Sequence, residues 1–321
     1  MIEFKKNFLL ISPHQAYLKY LQKYVNVFYL YPRHFHLSQW YIHRLPARIK
    51  HYLPAFSEKL LLPLEYIFNS PHNIKGLDVD LKPEVVDAVL ITDPTWCSFN
   101  LHPFKNAVKI YWSIDNIYNT SFYHDVLLTK IEKFDYIFTA HNKSVSDFSK
   151  MVPSTYWLPP FYDPDINVNL NRTKYFDVSF VGNIYGARVN YIYRLKNELS
   201  NLVTFFGNAY QNDMNEIYNR SKIVLNFTNK KELNFRVFEA LGSGSFLLNE
   251  YSEETLSLFK ENKDLVTFSD LSELIDKVYY YLENDSEREK IALLGHRKAE
   301  ELHTLEARVK ELLEKTALIE S

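Results

Sequence analysis

A single cysteine, Cys97, stands in 321 residues. That scarcity excludes an internal disulfide and fits a reducing compartment. A nucleophilic role for the thiol would need a partner the sequence does not show, so it reads as buried or neutral. Long apolar runs are missing too. Phe8 to Ile11 is far too short for a secretory signal, and Pro63 and Glu65 break the longest membrane-span candidate, Leu60 to Phe68. A cytoplasmic protein is expected. Nor does one sign of charge dominate: 37 Lys and Arg against 39 Asp and Glu leave a net charge of -2. That balance gives no case for a nucleic-acid partner. Glycine is scarce, with seven in all, and none stands in the G-x-x-x-x-G-K-[ST] or G-x-G-x-x-G arrangement. A P-loop is excluded and a nicotinamide or flavin oxidoreductase disfavoured. No G-x-S-x-G elbow or H-E-x-x-H helix occurs either.

What is present reads as a globular protein: 46% apolar with 24% charged residues. The length exceeds one usual core, so two domains of about 150 residues are expected. Aromatics reach 16% and are read as filling cores. Phe8 to Ser12 predicts a strand, followed by a helix to Tyr24 and a second strand, Val25 to Leu30. Val85 to Thr92, Ala107 to Ser113 and Phe134 to Ala140 predict three more. They end in Asp93-Pro94, Asp115-Asn116 and His141-Asn142, which puts a titratable residue at the working edge of a parallel sheet each time. Helix capping is the plainer reading of any one of them. Tyr156 to Pro160 and the Asp163-Pro164 turn predict the interdomain link.

The second half repeats the arrangement more cleanly. Phe176 to Val181 is a strand, Gly182 to Ala187 a tight loop, and Arg188 opens a helix. Leu202 to Phe206 with Gly207, Ile223 to Phe227, Phe246 to Leu248 and Asp264 to Phe268 follow as strands. Three helices close the chain, with Asp270/Glu273 and Ser286/Glu289 as capping boxes. The informative stretch is Ser221 to Asn249. There Asn234 to Leu241 predicts a helix with Phe235, Phe238 and Leu241 on one face, ended by Gly242 and Gly244. Lys230, Lys231 and Asn234 lie at its start, with Arg236 and Glu239 on its first turns. A helix N-terminus with cations suits a diphosphate. A carboxylate one turn further in suits the two hydroxyls of a ribose. The plain alternative is an exposed helix on which Arg236 and Glu239, three apart, pair with each other.

One local asymmetry stands out. Between Lys19 and Leu64 there are seven Lys or Arg against one acid, Glu58. His34, His36, His43, His51 and Trp40 sit among them, inside an irregular, proline-broken stretch from residue 31 to 83. It reads as a solvated insertion, as a contact for an anionic acceptor, or as a peripheral rest against anionic lipid headgroups at the inner membrane face. A metal site at His34 and His36 lacks further ligands at suitable spacing. Asp78-Val79-Asp80 and Asp163-Pro164-Asp165 have a D-x-D form but read as loop acids.

VSFVGN at Val178 to Asn183, Arg188, Phe206-Gly207, SKIVLNF, RVFEALGSG at Arg236 to Gly244, and the tail SEREKIALLGHRK with HTLEAR together resemble a known family. It is the glycosyltransferase-like family typified by spore maturation protein CgeB. The resemblance runs from about Asp177 to Leu313, and more loosely through YWSIDN and FDYIFTAHN in the first half. It implies an α/β fold of two Rossmann-like domains facing a central cleft (GT-B-like), with C-terminal helices packing back across the domains. The expected domains are 1–160 on the acceptor side, 161–303 on the nucleotide-sugar side, and a helix over 304–321. It also implies metal-independent transfer, without a cofactor, from a nucleoside-diphosphate sugar to a hydroxyl of a glycan, lipid-linked or protein-linked acceptor.

By that likeness Glu239 matches the glutamate that holds the donor ribose, and Gly182, Asn183 and Arg188 match the loop and cation beside the diphosphate. Arg236 and Asn234 join them from the residue reading. Retaining relatives carry a second glutamate eight positions before the ribose one, where this chain has Lys231, so the stereochemical course stays open. If the reaction inverts, the acceptor hydroxyl needs a general base, for which Asp115 is the first choice, with Asp93 and His141 behind it. The alternative function is a catalytically silent nucleotide- or glycan-binding member of the same fold.

Overall fold

A computed structural model describes residues 5–12, 14–30, 81–92, 101–114, 131–228 and 232–320. Two compact units form: Met1–Pro159 together with Val309–Ser321, and Pro160–Arg308. The basic stretch from residue 31 onward, Cys97 and Asp78 to Asp80 lie outside the described residues.

In the first unit, β1 (Asn7–Ile11), α1 (Ala16–Tyr24), β2 (Asn26–Leu30), β3 (Ala88–Thr92), β4 (Val108–Ser113), β5 (Tyr136–Thr139), α2 (Asn142–Phe148) and β6 (Thr155–Trp157) follow in order. The strands make one parallel sheet ordered β2-β1-β3-β4-β5-β6. β3 is buried along its whole length, as expected of a strand covered on both faces. Leu9, Ile11, Val89, Ile91, Tyr111, Ile137 and Phe148 fill the core. A hydroxyl residue closes or follows four strands: Ser12, Thr92, Ser113 and Thr139, all buried. Thr92 Oγ1 donates to Ser12 Oγ at 2.7 Å, so those two ends satisfy one another away from water.

The second unit runs through β7 (Phe176–Val181), α3 (Ala187–Glu198), β8 (Thr204–Gly207), α4 (Gln211–Asn219), β9 (Ser221–Asn226), α5 (Phe235–Gly242), β10 (Leu247–Glu250), α6 (Glu253–Leu258), β11 (Val266–Phe268), α7 (Leu271–Glu283) and α8 (Asp285–Leu302); α9 (Leu305–Lys315) follows. Its sheet is also parallel, ordered β11-β10-β9-β7-β8. β8 lies on one side of β7 and β9 on the other, so the chain reverses direction between β7 and β9. At such a switch point the loops after the two strands diverge and leave a crevice beyond their carboxyl ends. Among the described residues no helix is long and apolar enough to cross a membrane.

Several expectations are corrected. Tyr156 belongs to β6, which pairs with β5, so the link between the units starts later than read. Val85 lies in a 3₁₀ turn, Pro83–Val85, before β3. α4 and α6 were not foreseen. Asp270 caps α7 by accepting from Glu273 N at 3.0 Å, but Ser286 caps nothing. α8 starts two residues earlier with Asn284 in the N-cap place. Asp163-Pro164-Asp165 is a turn, with Asp165 N donating to Asp163 Oδ1 at 3.0 Å.

Candidate functional site

The crevice between β7 and β9 is built first from backbone. After β7, Gly182 donates its N–H to the Gly207 carbonyl at 2.8 Å. A Cβ on Gly182 would stand 3.1 Å from Arg236 Nε and 3.1 Å from Phe180 Cζ, so a larger residue would push the arginine or the ring by a few tenths of an ångström. Asn183, next in the loop, is exposed, and its carbonyl accepts from Arg188 Nη1 at 2.8 Å. From the other strand, α5 starts after Asn234, whose side chain makes no bond to the helix.

Two arginines then converge. Arg188 Nη2 donates to the Phe227 carbonyl at 3.3 Å, and Arg236 Nη1 donates to the same oxygen at 3.4 Å. Both guanidinium carbons stand 5.6 Å from the centroid of the buried Phe180 ring. Arg236 also reaches Asn226 Oδ1 at 3.3 Å. Neither arginine forms an ion pair with an acid among the described residues. Burial and the neighbouring Arg236 hold Arg188 below its usual value, yet a guanidinium stays charged. Two adjacent cations with no acid paired to them among the described residues have the charge to attract a polyanion.

Glu239 lies one turn beyond Arg236. Its carboxylate accepts no hydrogen bond among the described residues, so the alternative in which it pairs with Arg236 is not what forms. Burial pushes its pKa up to about 7, with Arg236 opposing. Tyr218 lies buried near it, and its hydroxyl is held well above the usual range by burial and by Glu239. A carboxylate without donors among the described residues can accept from hydroxyl groups. Glu250 contributes a further acid, but its Oε2 already accepts from Thr228 N at 2.8 Å and Thr228 Oγ1 at 2.9 Å.

Among the expected donor residues, Gly182, Asn183, Arg188, Arg236 and Glu239 gather at this one edge. Asn234 stands there too, but its amide is spent on Asn226, at 3.1 and 3.3 Å. Lys230 and Lys231 lie outside the described residues. Asn226, Phe180 and the Phe227 carbonyl were not anticipated. A polar residue closing the apolar run of β9 was the signal available for Asn226. In the first unit, His141 occupies the N-cap place of α2, and its Nδ1 is buried without a partner among the described residues. Asp93 and Asp115 lie outside the described residues.

Residues 168–314 match the family model described as glycosyl transferase-like. No curated protein matches the sequence. Solved structures align over the whole chain. A glycosyltransferase from Rickettsia africae is 11% identical with a TM-score of 0.58, covering 99% of each chain. Anabaena Alr3699/HepE in complex with UDP-glucose is 10% identical with a TM-score of 0.59, covering 98% of this chain and 100% of its own. The T4 phage β-glucosyltransferase is 11% identical at a TM-score of 0.55, covering 98% of this chain and 100% of its own. At such identities the likeness is one of fold, the two-domain GT-B fold. The family model matches less than half of the chain. The CgeB subfamily is narrower than either finding reaches.

Proposed function

We propose that this glycosyl transferase-like chain moves a sugar from a nucleoside-diphosphate donor to an acceptor hydroxyl on a glycan or glycoconjugate, using protein groups and no metal. The observation that carries the reading is the pair Arg188 and Arg236, aligned on one backbone oxygen and one ring, with the unpartnered Glu239 one turn away. That is a diphosphate seat with a pentose seat beside it.

The chemistry follows from the charges. As the anomeric C–O bond breaks, the bonding pair stays on the diphosphate and the ring gains positive character. Two fixed guanidiniums and the start of α5 meet that growing negative charge without reorganising. Glu239 accepts from the ribose hydroxyls and fixes the donor's register. The acceptor hydroxyl gives its proton to a base as its oxygen bonds to the anomeric carbon. Asp115 is first in order for that base, then Asp93 and His141.

A thermal-shift screen against UDP, GDP, CDP, ADP and dTDP tests the reading, since a ligand bound only by the folded state raises its melting temperature. UDP and UDP-glucose come first because the Anabaena structures contain UDP and UDP-glucose. One nucleotide should stabilise the protein, and Arg188→Ala or Arg236→Ala should weaken that ligand about 10- to 100-fold. Transfer or donor hydrolysis that disappears in Glu239→Ala separates an enzyme from a silent binder. No stabilisation by any of the five would overturn the proposal.

A further inference from the structure

We propose that Asn226 is a positioning residue of the donor site, a neutral amide that aims Arg236 while leaving its charge free for the diphosphate. The inference rests on the donor reading above. Asn226 closes β9 and is fully buried. Every hydrogen-bonding capacity of its side chain is in use. Nδ2 donates to Asn249 Oδ1 at 2.7 Å and to Asn234 Oδ1 at 3.1 Å. Oδ1 accepts from Arg236 Nη1 at 3.3 Å and Asn234 Nδ2 at 3.3 Å. That makes two donors and two lone pairs, the full inventory of an amide.

The direction of this amide is forced. Asn249 commits its Nδ2 to the Glu250 carbonyl at 2.6 Å, so it presents its oxygen to Asn226. Asn226 must answer with its nitrogen, and its oxygen is left turned to Arg236. The same amide pairs reciprocally with Asn234, the residue before the first turn of α5. One buried side chain therefore fixes both the guanidinium and the start of the helix that carries Glu239.

The neutrality matters as much as the geometry. An aspartate of the same shape would hold Arg236 more tightly, because a charge-assisted bond is roughly twice as strong as a neutral one. It would also cancel the charge that the diphosphate needs. The amide gives orientation without neutralisation.

The test is UDP binding by calorimetry in a double-mutant cycle of Asn226→Asp and Arg236→Ala, with inorganic pyrophosphate as a second probe. We expect Asn226→Asp to weaken UDP about tenfold or more. It should also flatten the salt dependence of binding; because it removes the donor to Asn249 Oδ1 it should lower the melting temperature as well, so binding is measured well below that transition. In the Arg236→Ala background the same substitution should change affinity less than about twofold. An unchanged affinity in Asn226→Asp, or equal losses in both backgrounds, overturns the assignment while leaving the donor reading intact. Failure of the unaltered protein to bind either UDP or pyrophosphate overturns both. If Asn226→Asp does not fold, Asn226→Ser enters the same cycle; its loss must likewise require Arg236, and an equal loss without Arg236 overturns the assignment.

Discussion

At the scale of single residues, Glu239 is the most sensitive reporter of the site. Its pKa, near 7 through burial, lies above the ordinary carboxylate value, so the sign is opposite to that of a salt-bridged acid. The folded protein holds this proton more tightly than the unfolded chain does. The stability it contributes is complete below about pH 4.5 and is lost as pH rises through about 7. A donor whose hydroxyls need the ionised form gains from the same rise. UDP-sugar affinity should therefore increase from pH 6 to pH 8. In Glu239→Gln it should be weakened about tenfold or more and lose that pH dependence, as calorimetry at several pH values would show. Of these residues, Glu239 was legible as a carboxylate one turn into a helix that follows a buried strand, whereas Arg188 entered only through the family resemblance. Spacing alone left the Arg236–Glu239 pairing undecided, since three residues apart on a helix serves a salt bridge and a shared ligand equally. Asn226 was hidden because a polar residue at the end of a strand looks the same whether it starts a turn or anchors a site.

At the scale of elements, glycine and capping residues set the packing of α7 and α8. Gly295 lies inside α8, where a Cβ would run into the Asp264 carbonyl oxygen and the Leu241 side chain of α5. Alanine is the better helix former by about 1 kcal/mol. Here that gain is outweighed by overpacking against backbone, which costs roughly 1–3 kcal/mol or more. Gly295→Ala should thus lower the melting temperature, measured by circular dichroism, although propensity alone predicts a rise. Asp270→Ala removes the cap on α7 and should cost about 1 kcal/mol in denaturant unfolding. The strands were readable because burial on both faces demands continuous apolar runs. α4 was missed for the converse reason: asparagines share its buried side, where Asn215 and Asn219 bond the Val168 carbonyl at 3.1 and 2.9 Å. α6 is too short for a periodic signal. The box at Ser286 failed because Asn284 and Asp285, also good capping residues, come first.

At the scale of the whole molecule, the parallel order of both sheets was evident from strands alternating with helical patterns, and the return of the final segment was expected too: Val309–Ser321 belongs with Met1–Pro159. Acid stability should be governed in part by His303. It is buried against Phe238 and Phe259, with Nδ1 2.6 Å from Arg308 Nη2. Burial first, then Arg308 and Lys298, push it down to about 3, against a partial pull from Asp264. A depressed histidine contributes stability above its ordinary 6.5 that is lost as pH falls toward about 3. Melting temperature should drop over that window, and His303→Phe should show a shallower fall. The division of the chain has a further meaning in time. The Pro160–Arg308 unit is one continuous stretch, while its companion needs Val309–Ser321 as well as Met1–Pro159. Emerging from the ribosome, the earlier-made half has all six strands of its sheet but gains its last contacts only once Val309–Ser321 is made, so its nascent-chain protease resistance should rise again at the end of synthesis.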